Sequence, residues 1–167
     1  MAKIVRSFAV ISAAIFLICE LATAGGLSAT LVEVKLKNLQ PGKTYSVLKE
    51  TGQQLVIKNT TENITVDIGI VSEKPVNYNL VPGYEPIPNL SWVEIKTKDF
   101  KDLKPGESAV TDIEIKIPPD KKYTGKKYQV YIYSHTAGKE TFRMGLMSRI
   151  LIETGPSTEA KKLPLQR

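Results

Sequence analysis

His135 is the only histidine in 167 residues, and it stands between Ser134 and Thr136. A Ser–His–carboxylate mechanism needs a base held by an orienting carboxylate, with the nucleophile in reach. Neighbours on a strand point to opposite faces, so adjacency in sequence does not put Ser134 beside the His135 ring. His135 therefore reads as a turn-exposed residue at the end of a strand. Metal chemistry fares no better. One histidine, dispersed carboxylates and a single cysteine, Cys19, near the N-terminus offer no ligand cluster. The chain also has no Gly-rich phosphate loop. These residues predict no catalytic set, no metal and no cofactor. They predict a protein that acts by binding.

Two stretches carry residue types suited to binding. The first runs from Lys74-Pro75 to Trp92 and contains Tyr78, Pro82-Gly83-Tyr84, Glu85-Pro86-Ile87-Pro88 and Asn89-Leu90-Ser91-Trp92. A connection of that length is uncommon in a compact domain and is often functional. Its prolines hold the chain extended, so Tyr84 and Ile87 are expected to be displayed with little loss of entropy. Trp92 joins them, because Tyr and Trp are enriched in interface hot spots. The second stretch is Lys127 to Ser134, where Tyr131 and Tyr133 share a parity opposite Val130 and Ile132. If the tyrosines face away from the core, they form an aromatic patch for a sugar ring or a partner surface.

Strands must position these residues, because alternation rather than helical period runs through the chain. The expected strands are Leu31–Lys37, Gln53–Lys58, Ile64–Ile70, Trp92–Thr97, Ser108–Ile117, Lys127–Ser134 and Phe142–Thr154, with a short one at Tyr45–Leu48. Pro118-Pro119 ends one of them, since proline cannot donate to a ladder. Asn38-Leu39-Gln40-Pro41-Gly42 and Asp102-Leu103-Lys104-Pro105-Gly106 repeat a polar-Leu-x-Pro-Gly pattern, which predicts two equivalent tight turns. About seven short strands with turns between them predict an all-β, immunoglobulin-like two-sheet β-sandwich.

The ends read differently. Lys3 and Arg6, an apolar run from Phe8 to Ile18, and Ala22-Thr23-Ala24 have the order of a secretory signal peptide, too short for a stable bilayer span. Residues 1–24 are thus expected to be removed, with the sandwich at 27–154 and a disordered tail at 155–167. Cleavage after Ala24 takes Cys19 with it and lowers the net charge from +6 to +5. The lysines are scattered and the mature chain has arginine only at 143, 149 and 167, so a nucleic-acid surface is not expected. Asn59-Thr60-Thr61, Asn63-Ile64-Thr65 and Asn89-Leu90-Ser91 match the N-glycosylation acceptor pattern.

Leu103-Lys104-Pro105-Gly106-Glu107-Ser108, then Ile117-Pro118-Pro119-Asp120, Tyr123-Thr124-Gly125 and an aromatic-rich strand form an ordered string. It resembles the layout of bacterial extracytoplasmic immunoglobulin-like and fibronectin-type-III-like domains, nearest to the WxL-interacting (peptidoglycan-binding) and NEW3-type domains. Leu55–Thr61 and Arg149–Ile152 resemble their early and closing strands. The leader, the sandwich, the long aromatic connection and the lack of a catalytic set predict a periplasmic or cell-surface module that binds an envelope protein. The resemblance, with the positive charge and the tyrosine pair, implies the alternative of a cell-wall or glycan-binding module, and the long final strand a further one, a pilus-chaperone-like protein that complements a client strand.

Overall fold

The computed structural model describes residues 26–138 and 143–155. The leader at 1–24, Phe142 and the tail from Pro156 lie outside them.

Alternating apolar residues bury one face of each strand, and two layers of strands close over the shared core. The first layer contains β1 (Leu27–Ala29), β3 (Thr44–Ser46), β4 (Leu55–Asn59), β7 (Val93–Ile95), β9 (Ser108–Thr111) and β10 (Ile113–Lys116). Its pieces have the orders β1-β4-β9 and β3-β10-β7. The second layer has the order β2-β12-β11-β5-β8, from β2 (Glu33–Leu39), β12 (Gly145–Thr154), β11 (Lys127–Ala137), β5 (Val66–Glu73) and β8 (Asp99–Leu103). A two-residue strand, β6 (Glu85–Pro86), pairs with the start of β11. Leu36, Ile57, Ile70, Ile115, Val130, Ile132 and Ile150 fill the core between the layers. This is the expected immunoglobulin-like sandwich.

Three expected strands differ from their reading. The first begins at Glu33 instead of Leu31, which is buried where the chain crosses from β1, an unexpected strand in the other layer. Ser108–Ile117 breaks at Asp112, whose carboxylate accepts from the Ser46 hydroxyl and the Leu48 N–H. That carboxylate holds the start of a short helix, α1 (Val47–Thr51), where the sequence predicts a strand. Ser46 caps the helix by accepting from the Lys49 N–H, and Gly52 ends it at φ 71°. The fourth predicted strand starts late as well: Leu90–Trp92 is a 3₁₀ turn, and β7 begins at Val93.

The two Pro-Gly turns are equivalent down to their backbone angles. Gly42 and Gly106 have φ of 86° and 82°, while Asn38 and Asp102 have φ of 59° and 54°. Asn and Asp tolerate this left-handed region better than most residues. Ladder register shifts beside both positions, so β2 and β8 each carry a bulge, and these are the two edges of the larger sheet. Bulges at exposed edges discourage unwanted pairing. Gly155, which the sequence assigns to the tail, instead ends the fold: its N–H donates to the Leu39 carbonyl and it is buried.

Candidate functional site

The long connection after β5 is not a display loop. It folds as a strap across the outer face of the larger sheet, over the first half of β11. Ile87 is 0% exposed, and Trp92 and Tyr84 are 5% and 8% exposed. This corrects the expectation that Tyr84, Ile87 and Trp92 are presented to a partner. The cause is polar as much as apolar. The fully buried Gln129 side chain accepts from the Val81 N–H at 2.8 Å and donates to the Asn79 carbonyl at 2.8 Å. The Ile87 N–H donates to the Gln129 carbonyl, which carries Ile87 into the core. Trp92 packs edge-on against Tyr123 and Tyr128, with ring centroids 4.7 and 5.6 Å apart.

Tyr84 serves as a latch at the strap's other side. Its hydroxyl donates to Glu153 at 2.6 Å, and Lys35 sits 2.9 Å from the same carboxylate. The Tyr84 hydrogen bond and then Lys35 pull the Glu153 carboxyl from 4.5 to about 2. Burial, followed by the neighbouring carboxylate, pushes the Tyr84 phenol above its usual value.

Tyr131 and Tyr133 do face outward, as their parity allows, but they differ in access. Tyr131 is buried beneath the strap's edge, its hydroxyl donating to the Asn79 carbonyl at 3.1 Å. Tyr133 lies beyond the strap and is half-buried. β11 continues to Ala137, so His135 is a strand residue rather than a turn residue. Ser134 points into the core and His135 outward, as strand alternation requires.

The half of the outer face left open by the strap has a definite composition. Register places Met147 and Val71 on either side of Tyr133, and Gly145 and Gly69 on either side of His135. Val32, beside Arg149, extends the row toward β2. Val32, Met147 and Val71 are 71%, 49% and 41% exposed, so an apolar belt crosses the sheet with Tyr133 at its middle. Arg149 borders it, pairing with Glu33 at 2.8 Å and lying 5.8 Å from the Tyr131 ring centre.

Tyr133 and His135 are stacked, with centroids 5.1 Å apart and planes 11° from parallel. The flanking glycines make room for them. A Cβ at Gly145 would lie 2.6–2.7 Å from two Tyr133 ring carbons, and one at Gly69 would lie 3.1 Å from the His135 ring. Glycine inside a strand weakens it by about 0.5–1 kcal/mol relative to alanine. The sequence carries two of them where an outward-facing ring pair needs the space. Two recesses flank the belt. One of about 510 Å³ is bordered by Val71, Glu73, Tyr133, His135 and Arg143; the other, of about 250 Å³, lies between Val32, Glu33, Tyr131, Met147 and Arg149. His135 Nδ1 and Arg149 Nε are buried without a hydrogen-bond partner among the described residues.

Sequence reasoning missed His135, Arg149, Val32, Val71 and Met147 as members of one surface. Parity along β11 already links Tyr131, Tyr133 and His135. The other residues join them only through strand pairing. Among the described residues there is no group of three or more His, Cys, Asp or Glu placed to hold a metal ion. No helix among them is long and apolar enough to cross a membrane.

No family model and no curated protein matches the chain. Its fold is similar to that of PapD-like domain 7 of human CEP192, at a TM-score of 0.51 and 10% identity, over 80% of this chain and 87% of that one. A Porphyromonas gingivalis protein of unknown function is similar at a TM-score of 0.53 and 14% identity, over 81% of this chain and 50% of that one. A candidate carbohydrate-binding protein from Bacteroides ovatus is similar at a TM-score of 0.50 and 11% identity, over 78% of this chain and 37% of that one. At such identities the likeness shows the fold alone, an immunoglobulin-type β-sandwich.

Proposed function

We propose that this chain is a non-catalytic binding module, and that the open half of the larger sheet's outer face receives a protein partner. The exposed belt of Val32, Met147, Tyr133 and Val71 carries this reading. Contiguous apolar surface rimmed by charge marks interaction sites, and Tyr, Met and Arg are enriched at interface centres. Glu33, Arg149, Glu73 and Arg143 supply the rim. The strap supports the same reading from the other side, since it covers its half of the face with the chain's own residues and does not reach this half.

The leader pattern at 1–24 supports a place outside the cytoplasm, in a periplasmic or cell-surface assembly. A strand-complementing role is the less supported alternative. β12 is flanked by β11 and β2 over most of Arg149–Thr154, which leaves only Gly145–Ser148 of that strand beside no β2 partner.

The test is cross-linking in the native envelope with wild type, Val32→Asp, Met147→Asp and Val110→Asp. Val110 is 43% exposed on β9 in the opposite layer. The first two variants should lose the wild-type cross-linked protein, and Val110→Asp should keep it. Retention by all three variants would sink the proposed face.

A further inference from the structure

We infer that the recess at the root of the strap binds an acidic, proline-rich peptide segment, at a second site that shares no residue with the belt. The recess encloses about 510 Å³ and lies between the Pro-Gly turn before β3, the end of β10 and the 3₁₀ turn Leu90–Trp92. Trp92, Tyr123, Pro88, Pro118 and Pro119 give it apolar walls, and Lys43 and Lys116 stand at its border.

The indole of Trp92 carries the sign of a ligand. The residue is only 5% exposed, yet its N–H has no acceptor among the described residues. The sealed side-chain atoms without a partner are Ser134 Oγ, His135 Nδ1 and Arg149 Nε, and the indole nitrogen is not one of them. It therefore reaches solvent, and the opening that Trp92 lines is this recess. An indole nitrogen can only donate, and a buried tryptophan usually finds an acceptor for that hydrogen.

The surroundings of the indole are also rich in free donors. The Lys43 ammonium has no ion pair among the described residues. Asn89 spends its amide oxygen on the Ser91 N–H and keeps its amide hydrogens free. Nearby carbonyls are already engaged: Pro88 by Lys74, Ile117 by the Gly42 N–H and Pro118 by the Asp120 N–H. No Asp or Glu lines the space, while the Thr44, Ser91 and Tyr123 hydroxyls can act either way.

Such a surface suits a ligand made of acceptors. Proline is the residue whose backbone keeps its carbonyl and lacks an N–H. A run of prolines forms an extended helix that is already ordered, with bare carbonyls and apolar rings that dock in aromatic-lined grooves. A saccharide brings a donor with every hydroxyl, and those find too few acceptors here. Charge sets the flank of the peptide. Lys116 is paired with Glu94, whereas Lys43 is unpaired, so an acidic residue beside the prolines completes the fit.

Fluorescence anisotropy measures the binding of a labelled oligoproline peptide with a glutamate flank to wild type, Trp92→Phe, Lys43→Ala and Val32→Asp. A peptide with alanine for every proline and one with glutamine for every glutamate are the comparisons. Trp92 is the only tryptophan, so its own emission should shift when wild type takes up the peptide. Trp92→Phe keeps an aromatic ring in the core and loses the donor; with its fold checked by circular dichroism, affinity should fall about fivefold. Lys43 is exposed, so Lys43→Ala leaves the fold intact. It should weaken the glutamate peptide about threefold and leave the glutamine peptide unchanged. Val32→Asp should bind peptide as wild type does while losing the belt's partner, so each site can fail alone. Equal binding of the alanine peptide, displacement by inorganic phosphate, or unchanged affinity in Trp92→Phe or in Lys43→Ala overturns the inference.

Discussion

The Asn59 amide donates to the carbonyls of Ile64 and Leu103 at 2.8 and 2.9 Å, and its oxygen accepts from the N–H and hydroxyl of Thr61. The residue is fully buried. Its match to a glycosylation pattern thus has a structural cause: a buried asparagine holding the turn after β4, with Thr61 completing the network. Asn59→Ala removes every one of these bonds and strands backbone carbonyls in the interior. It should cost about 2–4 kcal/mol, read from urea unfolding. A loss below 0.5 kcal/mol would show that water replaces the amide without cost, roughly as at an exposed site. The same scale explains the misjudged Tyr84 and Ile87. Their types suit an interface, but burial is decided by what the backbone around them bonds to, here Gln129.

At the scale of elements, the strap is the feature with a pH signature. Glu153 has a folded value near 2 against 4.5 when free, held there by the Tyr84 hydroxyl first and Lys35 second. A folded value below the unfolded one stabilises the protein at pH above 4.5, and that contribution fades as the pH falls toward 2. Tyr84→Phe deletes the main cause. Chemical denaturation at pH 7 and pH 3 should then show a smaller acid-induced loss in Tyr84→Phe than in wild type. Equal losses would mean that the strap is held at its apolar side alone. Element boundaries were legible only in part. The Pro-Gly turns and Pro118-Pro119 were readable because proline and glycine constrain the backbone locally. The helix α1 was not, since its anchor, Asp112, lies 66 residues from Ser46.

For the molecule as a whole, one core joins both layers and the strap, with Ile87, Trp92, Ile57 and Ile150 in the same cluster. Trp92 is the only tryptophan, so its fluorescence reports the strap's root, while far-ultraviolet circular dichroism reports the strands. The two signals should unfold in a single coincident transition, as small cooperative domains do. A fluorescence transition that precedes the loss of strand signal would show that the strap opens as a separate unit.

The sequence by itself determined the class of fold, because period-two burial and Pro-Gly turns are local properties written into consecutive residues. It also determined that Tyr131 and Tyr133 share a face, since parity along one strand requires it; that His135 joins them was decided by β11 running on to Ala137. Which part of that face stays open was decided only by tertiary structure. The strap covers Tyr131 and stops short of Tyr133, and strand register brings Met147, Val71, Gly145 and Gly69 alongside from β12 and β5. Those neighbours are far apart in the chain. A binding surface on a sheet is assembled across strands, and only the folded register says which residues meet there.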